Sequence, residues 1–497
     1  MTNYTKFAVR GTVKVLIISL VAGFLGYVVR AVLARNLGVE DFGLFNSVFA
    51  FLGLIGAFDS LGFDKALVKF IPEFRHRNRN DFIKSSLIYV CAIMLLINIV
   101  IIAAVYLLSS YLSFHYFHSA KADIVLKILV IGFFIDSFAS VLKFAFQGFK
   151  ELGYYSMIDV IRMALVLLVV YIGIKLNYGI LGPAVAYTIA PLILLLIFGW
   201  IFLRKVFPAF FESKFVLDKK MLKDVSKYSI FVTETTAAGL ILYYTDILAL
   251  TYFADLKSVG LYSVALPTAR VLIYFTRALG GVVLPLTAEL WVKEKKVLLK
   301  DGIELLYKYS FIAIVPIVFV MVAFSDLIIS VFYGKNYLEA SMSMKILSVG
   351  MMFTIFNGVN ISFFSGIGKP KIGAIINYTA AVFNFVLNIL LIPYLGILGA
   401  AMATTISYFA MMITGLYYTR RYINLTFPVM VWVKTFAVGL FFVFIIWYMK
   451  KIISLNVWIE TPIVIFAAGA FYIAALFALR IVDLKELKML YSRIAGK

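Results

Sequence analysis

The sequence predicts an all-α polytopic membrane protein: about fourteen transmembrane helices, forming two six-helix lobes in parallel repeat around a central cavity, plus two extra C-terminal helices. Three observations lead there. Of 497 residues, 63% are hydrophobic and 14% charged, whereas a soluble domain has about half and a quarter. Apolar stretches near the roughly 20 residues that cross a hydrocarbon core recur from end to end, without the polar–apolar alternation of barrel strands. One small-residue phrase also occurs twice, "GILGPAVAYTI" from Gly179 and "GILGAAMATTI" from Gly396, 217 positions apart.

Hydropathy places the spans at about 11–34, 42–62, 83–109, 123–147, 153–174, 180–203, 227–252, 258–291, 300–323, 340–365, 371–393, 396–418, 428–449 and 457–479. The first is too long for a cleaved signal peptide, and Arg30 interrupts its far end. The single cysteine, Cys91, falls inside the third span and forms no intrachain disulfide.

Lysine and arginine set the expected orientation. With the N-terminus inside, the inner segments hold most of them, including "KALVKFIPEFRHRNRNDFIK", "RKVFPAFFESKFVLDKKMLKDVSK", "KEKKVLLK", Arg420–Arg421 and the tail from Arg480. Both termini are therefore expected in the cytoplasm and the protein in the plasma membrane. The net charge of +21 reflects this bias and attraction to anionic headgroups, not nucleic-acid binding.

The repeat divides the chain into an N-lobe at 1–204, a cytoplasmic interfacial linker at 205–226, a C-lobe at 227–419, and a last pair of spans with a cytoplasmic tail at 420–497. Gly43-Leu44-Phe45 recurs as Gly260-Leu261-Tyr262 at the same offset, and Gly148 recurs as Gly366 at 218. Each copy holds an even number of spans, so both enter from one side and are related by an axis along the membrane normal. The duplicated phrase opens spans six and twelve, where small residues permit close helix approach; contact with the transported molecule is the other role open to it. The linker's Phe207, Phe210, Phe211, Phe215 and Val216 alternate with lysines. That pattern fits an interfacial helix or a plain basic connector.

Ionisable residues inside spans are the informative ones, because each costs about 2.5–3.5 kcal/mol at a helix centre unless it faces protein or water. Asp159 with Arg162, and Glu304 with Lys308, can neutralise each other on their own helices. Asp136 and Lys143 share a face and can pair with span five. Arg30, Arg270 and Arg277 have no acidic residue three or four positions away on their own helices. They are the candidate binding residues for an anionic headgroup, since a guanidinium fork suits phosphate oxygens; Arg30 also suits snorkelling. Candidate gate or cavity polar residues are Asp246, Glu234, Asp59, Asn377 and Asn384. Asn377, Asn384 and Asn388 share a stripe that suits helix–helix bonding or cleft lining. The repeat offset places Arg30 one position from the equivalent of Asp246, so the two could pair across the outer end of the cleft. His115 and His118 stand as H-x-x-H, but no carboxylate or cysteine completes a ligand set, so no metal site is expected.

Two motifs in "LARNLGVEDFGLFNSVFAFLGLIGAFDSLGFDKALVKFIPE" carry a resemblance. One is the turn from Leu37-Gly38 to Phe42-Gly43; the other runs from Gly62 to Phe70 as G-F-D-K-A-L-V-K-F. With "GILGAAMATTIS", they resemble the polysaccharide-biosynthesis flippases of the multidrug/oligosaccharidyl-lipid/polysaccharide exporter superfamily, over essentially the whole chain. The resemblance implies a transporter, not an enzyme, that flips a polyprenyl-(pyro)phosphate-linked oligosaccharide outward by alternating access. It implies that Arg30, Arg270 and Arg277 supply a cationic cavity and that spans thirteen and fourteen help receive the lipid tail. No cofactor is expected; a coupling ion is left open, and the protein is expected to be a monomer in the bilayer. A cation-coupled multidrug exporter and a lipid II flippase remain alternatives. A membrane glycosyltransferase or ligase fits less well, because the short outer loops hold few carboxylates.

Overall fold

The computed structural model describes the backbone of residues 3–453 and 455–482, and the side chains of these except 3–14, 16, 231, 234–238 and 277–278. Among the described residues the regular structure is helical throughout. In chain order the helices are α1 (Asn3–Leu37), α2 (Val39–Ile55), α3 (Phe63–His76), α4 (Asn80–His115), α5 (Lys121–Gly148), α6 (Leu152–Lys175), α7 (Leu181–Ile201) and α8 (Lys219–Phe253). They continue as α9 (Leu256–Ala269), α10 (Ile273–Val292), α11 (Lys296–Ala323), α12 (Ser325–Tyr333), α13 (Ser341–Gly366), α14 (Pro370–Ile423), α15 (Val429–Ile452) and α16 (Val457–Ala478).

Among the described residues, eleven helical segments are long and apolar enough to span a bilayer. The fourteen expected spans follow once three features are read together. α14 is two legs joined at Gly396, the one non-helical residue in it. Span two, expected at 42–62, is instead two short helices, α2 and α3, so that helix runs through 65–76 where an inner segment was expected. α8 (Lys219–Phe253) covers span seven, and its apolar stretch is described from Gly239 to Phe253. The protein is a multi-pass membrane protein.

The chain divides into two compact units, Met1–Val264 and Ala265–Lys497, with the division inside α9. α8 belongs with the first because it packs on α2, α3 and α4. That unit's core gathers Phe70, Phe74, Phe146, Phe198 and Phe202 at the Arg75–Arg77 end of α3. Here the connector folds in rather than forming a long helix: it makes a π turn at Phe202–Val206 and a 3-10 turn at Pro208–Phe210. Phe207 is buried against Phe149, while Phe211, Phe215 and Leu217 stay exposed. Asp218 then caps α8 by accepting from the Met221 amide. In the second unit α13 is central, packed by α10, α11 and α14, and α15 and α16 add outside α11.

The duplicated phrase does the same work in each unit. Gly179 and Gly396 both adopt φ 52°, a left-handed conformation that L side chains disfavour, and each starts the following leg. Nine positions on, Thr188 Oγ1 donates to the Ile128 carbonyl on α5 at 3.1 Å, and Thr405 Oγ1 donates to the Ile346 carbonyl on α13 at 3.0 Å. Beside those bonds a Cβ on Gly132 would lie 2.8 Å from Thr188 Oγ1, and one on Gly350 would lie 2.7 Å from Thr405 Oγ1. Gly148 and Gly366 meet the carbonyls of Leu67 and Leu284 in the same repeated way, at 2.9 and 3.0 Å from the added Cβ. The phrase is a turn plus a close helix approach, made twice.

Candidate functional site

The repeat-equivalent helices α2 and α9 cross where the two sequence copies touch. A Cβ built on Gly43 would lie 1.9 Å from the Leu256 carbonyl oxygen, and one on Gly260 would lie 2.1 Å from that of Val39. Val39 and Leu256 are 217 positions apart, as are Gly43 and Gly260. The crossing is therefore one contact made reciprocally, as an isologous two-fold contact is. Any side chain at either glycine would push the backbones apart.

Arg30 completes this crossing. Its Nη1 donates to the Ser263 carbonyl at 2.8 Å and to Asn46 Oδ1 at 3.3 Å. Asn46 and Ser263 are again 217 apart, so one guanidinium from α1 bridges equivalent positions of the two copies. The neighbouring residue, Tyr262, donates to Asp246 Oδ2 at 2.6 Å, and Asp246 is fully buried. Arg30 and Asp246, placed by the repeat at similar depth, thus grip adjacent residues of α9. Further ties surround them: Ser47 with Thr251 at 2.6 Å, Tyr116 to the Leu248 carbonyl at 2.9 Å, and the Lys121–Asp41 ion pair at 2.8 Å. Sequence reasoning found the two glycines but missed Asn46 and Ser263, whose signal was the shared offset three residues beyond them.

Both copies interrupt the crossing helix at adjacent places. α2 ends at Ile55, followed by turns to Gly62 at φ 72°; in the other copy a 3-10 turn, Arg270–Leu272, separates α9 from α10. Ile55 and Leu272 are repeat equivalents. Mid-helix 3-10 turns often mark hinges. Asp59 lies in the first interruption, half-buried, and its carbonyl accepts from Asn98 Nδ2 at 3.1 Å. Arg270 opens the second and is half-buried. Arg277 lies two turns further along, on α10, in the second unit with Arg270; its side chain, like that of Glu234 on α8, is outside the described residues.

The remaining candidates serve helix packing in the second unit. Asn384 is fully buried and donates to Thr404 Oγ1 across the legs of α14 at 3.0 Å; Asn388 donates to Asn384 at 3.1 Å. Asn377 accepts from Asn357 at 3.4 Å. Among the described residues no three His, Cys, Asp or Glu side chains gather as a metal set; the His115 ring stacks on Tyr111.

Two ion pairs link α5 to α6. Lys143 meets Asp159 at 2.7 Å and Arg162 meets Asp136 at 3.0 Å. The sequence allowed Asp159 to pair with Arg162 on its own helix. The structure joins each to α5 instead, because the facing helix offers an opposite charge at closer range. Glu304 accepts from the Thr426 amide and hydroxyl at 2.6 and 2.8 Å and lies 3.8 Å from Lys300.

A family model described as polysaccharide biosynthesis protein matches residues 8–291, and the MatE model matches 235–390. An uncharacterized membrane protein of Methanocaldococcus jannaschii is 31% identical over 504 residues, covering 99% of each chain. A Haloferax volcanii protein named "Probable low-salt glycan biosynthesis flippase Agl15" is 21% identical, over 84% of each chain. Among solved structures, the lipid II flippase MurJ in an inward closed conformation has TM-score 0.75 at 16% identity, covering 98% of this chain and 100% of its own. An inward-facing MATE multidrug transporter has TM-score 0.69 at 16% identity, covering 81% and 94%. These structural likenesses establish the fold. The chain belongs to the polysaccharide biosynthesis protein family, flippase-type membrane transporters of the multidrug/oligosaccharidyl-lipid/polysaccharide exporter superfamily.

Proposed function

We propose that this protein moves a polyprenyl-(pyro)phosphate-linked oligosaccharide from the cytoplasmic to the outer leaflet by alternating access. The observation that carries the reading is the reciprocal Gly43–Gly260 crossing bridged by Arg30. The distribution of basic residues supports cytoplasmic termini in a plasma-membrane protein, and in that orientation the crossing lies at the outer face. A contact made by both copies at one face is a gate that closes there. Opening it requires the α2 and α9 backbones to part, and the interruptions beyond Ile55 and Ala269 provide bending points.

Arg270 opens the second interruption and Arg277 lies beyond it on α10; there a guanidinium fork would receive the lipid's phosphate oxygens. Arg30 has two neutral acceptors in the closed gate. A phosphate is the stronger partner, because its negative charge adds ion-pair attraction and two parallel acceptor oxygens that these neutral groups lack.

The test is flipping by the purified full chain in proteoliposomes, with a fluorescent polyprenyl-diphosphate oligosaccharide, lipid II and a cationic drug offered in parallel. Protein-dependent exposure of the oligosaccharide lipid alone supports the reading. Transport of lipid II or of the drug, with the oligosaccharide lipid left in place, assigns the fold's other cargo and ends this one.

A further inference from the structure

We propose that a second site, inside the first unit, receives one sugar ring of the cargo; this deepens the flippase reading and rests on it. A cavity of about 110 Å³ lies among α2, α5, α6 and α7, walled by Phe49, Phe133, Tyr187 and Val166 and reached by Asp136 and Arg162. Phe49 packs edge-on against both Phe133 and Tyr187, at 5.1 Å between ring centroids in each case. The wall is therefore largely aromatic and apolar.

The polar side of the cavity is incomplete. Arg162 Nη1 and Asp136 Oδ2 satisfy each other, but Arg162 Nε and Asp136 Oδ1 are buried with no hydrogen-bond partner among the described residues. The first of these atoms can only donate and the second can only accept. A cation would meet the guanidinium and an anion the carboxylate, so the pair as a whole selects a neutral ligand. A hydroxyl, which donates and accepts at once, matches both vacant positions. Water is the smallest such ligand, and the volume holds several by the roughly 10–15 Å³ that one needs. Water, however, gains nothing from three aromatic rings. A pyranose presents hydroxyls at its edge and apolar C–H groups on its face, which is the pairing of a few fixed polar groups with an apolar wall found in ligand pockets.

The site also differs in chemistry from the arginines assigned to the phosphate. Here the positive charge is already neutralised, so the glycan can engage it without competing for the headgroup's counter-charge.

The experiment measures binding of two probes to the full chain in lipid nanodiscs: a polyprenyl diphosphate, and the same lipid carrying one N-acetylhexosamine. The wild type is expected to bind the sugar-bearing lipid about tenfold more tightly. Val166→Phe, which fills the cavity, is expected to erase that preference while binding the bare lipid unchanged. Met163→Phe makes the same test from another wall if Val166→Phe fails to fold. A preference that survives the filled cavity, or no preference in the wild type, overturns the proposal. If neither lipid binds, the flippase reading fails by itself. The cavity is then judged by saturation-transfer NMR with free N-acetylhexosamine, where equal signals from wild type and filled variant overturn it too.

Discussion

Replacing Gly43 or Gly260 by alanine should open the α2–α9 crossing without unfolding the protein. The added methyl on residue 43 would sit 1.9 Å from the Leu256 oxygen, and on residue 260 it would sit 2.1 Å from the Val39 oxygen. Real Cβ contacts essentially never fall under 3.0 Å, so the backbones must separate by about 1 Å. Neither obstacle is a flexible side chain that could swing aside. Forcing a methylene into a packed contact typically costs about 1–3 kcal/mol, which shifts a two-state equilibrium about 5–150-fold. Alanine meanwhile favours each isolated helix by about 0.5–1 kcal/mol over glycine, so the penalty falls on the closed gate rather than on the helices.

Spin labels at Glu40→Cys and Lys257→Cys, in a Cys91→Ser background, would report the separation by pulsed EPR. Both label sites are exposed and are repeat equivalents. The population should move to the longer distance in both single variants by similar amounts. The double variant should add less than the sum, because both changes break one contact. An unchanged distance distribution in either single variant would refute the crossing as the closing contact.

Arg30→Lys should weaken the same closure by about tenfold in population, because an ammonium lacks the guanidinium's fixed fork; the same EPR pair reads it, and a wild-type distribution would remove Arg30 from the gate. Reversing one partner of the Lys143–Asp159 pair should lower thermal stability by about 1–3 kcal/mol, and the double swap Lys143→Asp/Asp159→Lys should recover most of it; equal losses in single and double variants would show no pairing. Collapsing a membrane potential, inside negative, with an ionophore should slow multi-turnover flipping. If the arginines neutralise the cargo, the field acts mainly on the empty cationic site, at about 2.3 kcal/mol per charge per 100 mV; unchanged turnover would show that resetting moves no charge.

The duplication was legible because its signal is local. A glycine needed for φ 52° or for a backbone contact stays glycine in both copies, and a threonine that bonds a neighbouring carbonyl stays threonine. The ion pairs were only half legible. The shared face of Asp136 and Lys143 pointed to span five, as the pairs with Arg162 and Asp159 bear out, whereas the spacing of Asp159 and Arg162 also allowed a pair on their own helix, and only the rotation of the facing helices decides between the two. Asn384 shows the same limit: a polar stripe reads alike whether it faces a cleft or the other leg of its own helix.

By itself the sequence determined that this chain is a helical membrane protein built of two parallel copies, because bilayer thickness sets a length and duplication leaves an offset. Only the tertiary structure decided that Gly43 meets Gly260, and that Arg30 spans Asn46 and Ser263 instead of standing as an open charge. The reason is physical. Hydropathy and small-residue patterns record what each helix requires of its surroundings, while the partner that meets the requirement is fixed by how helices rotate and cross.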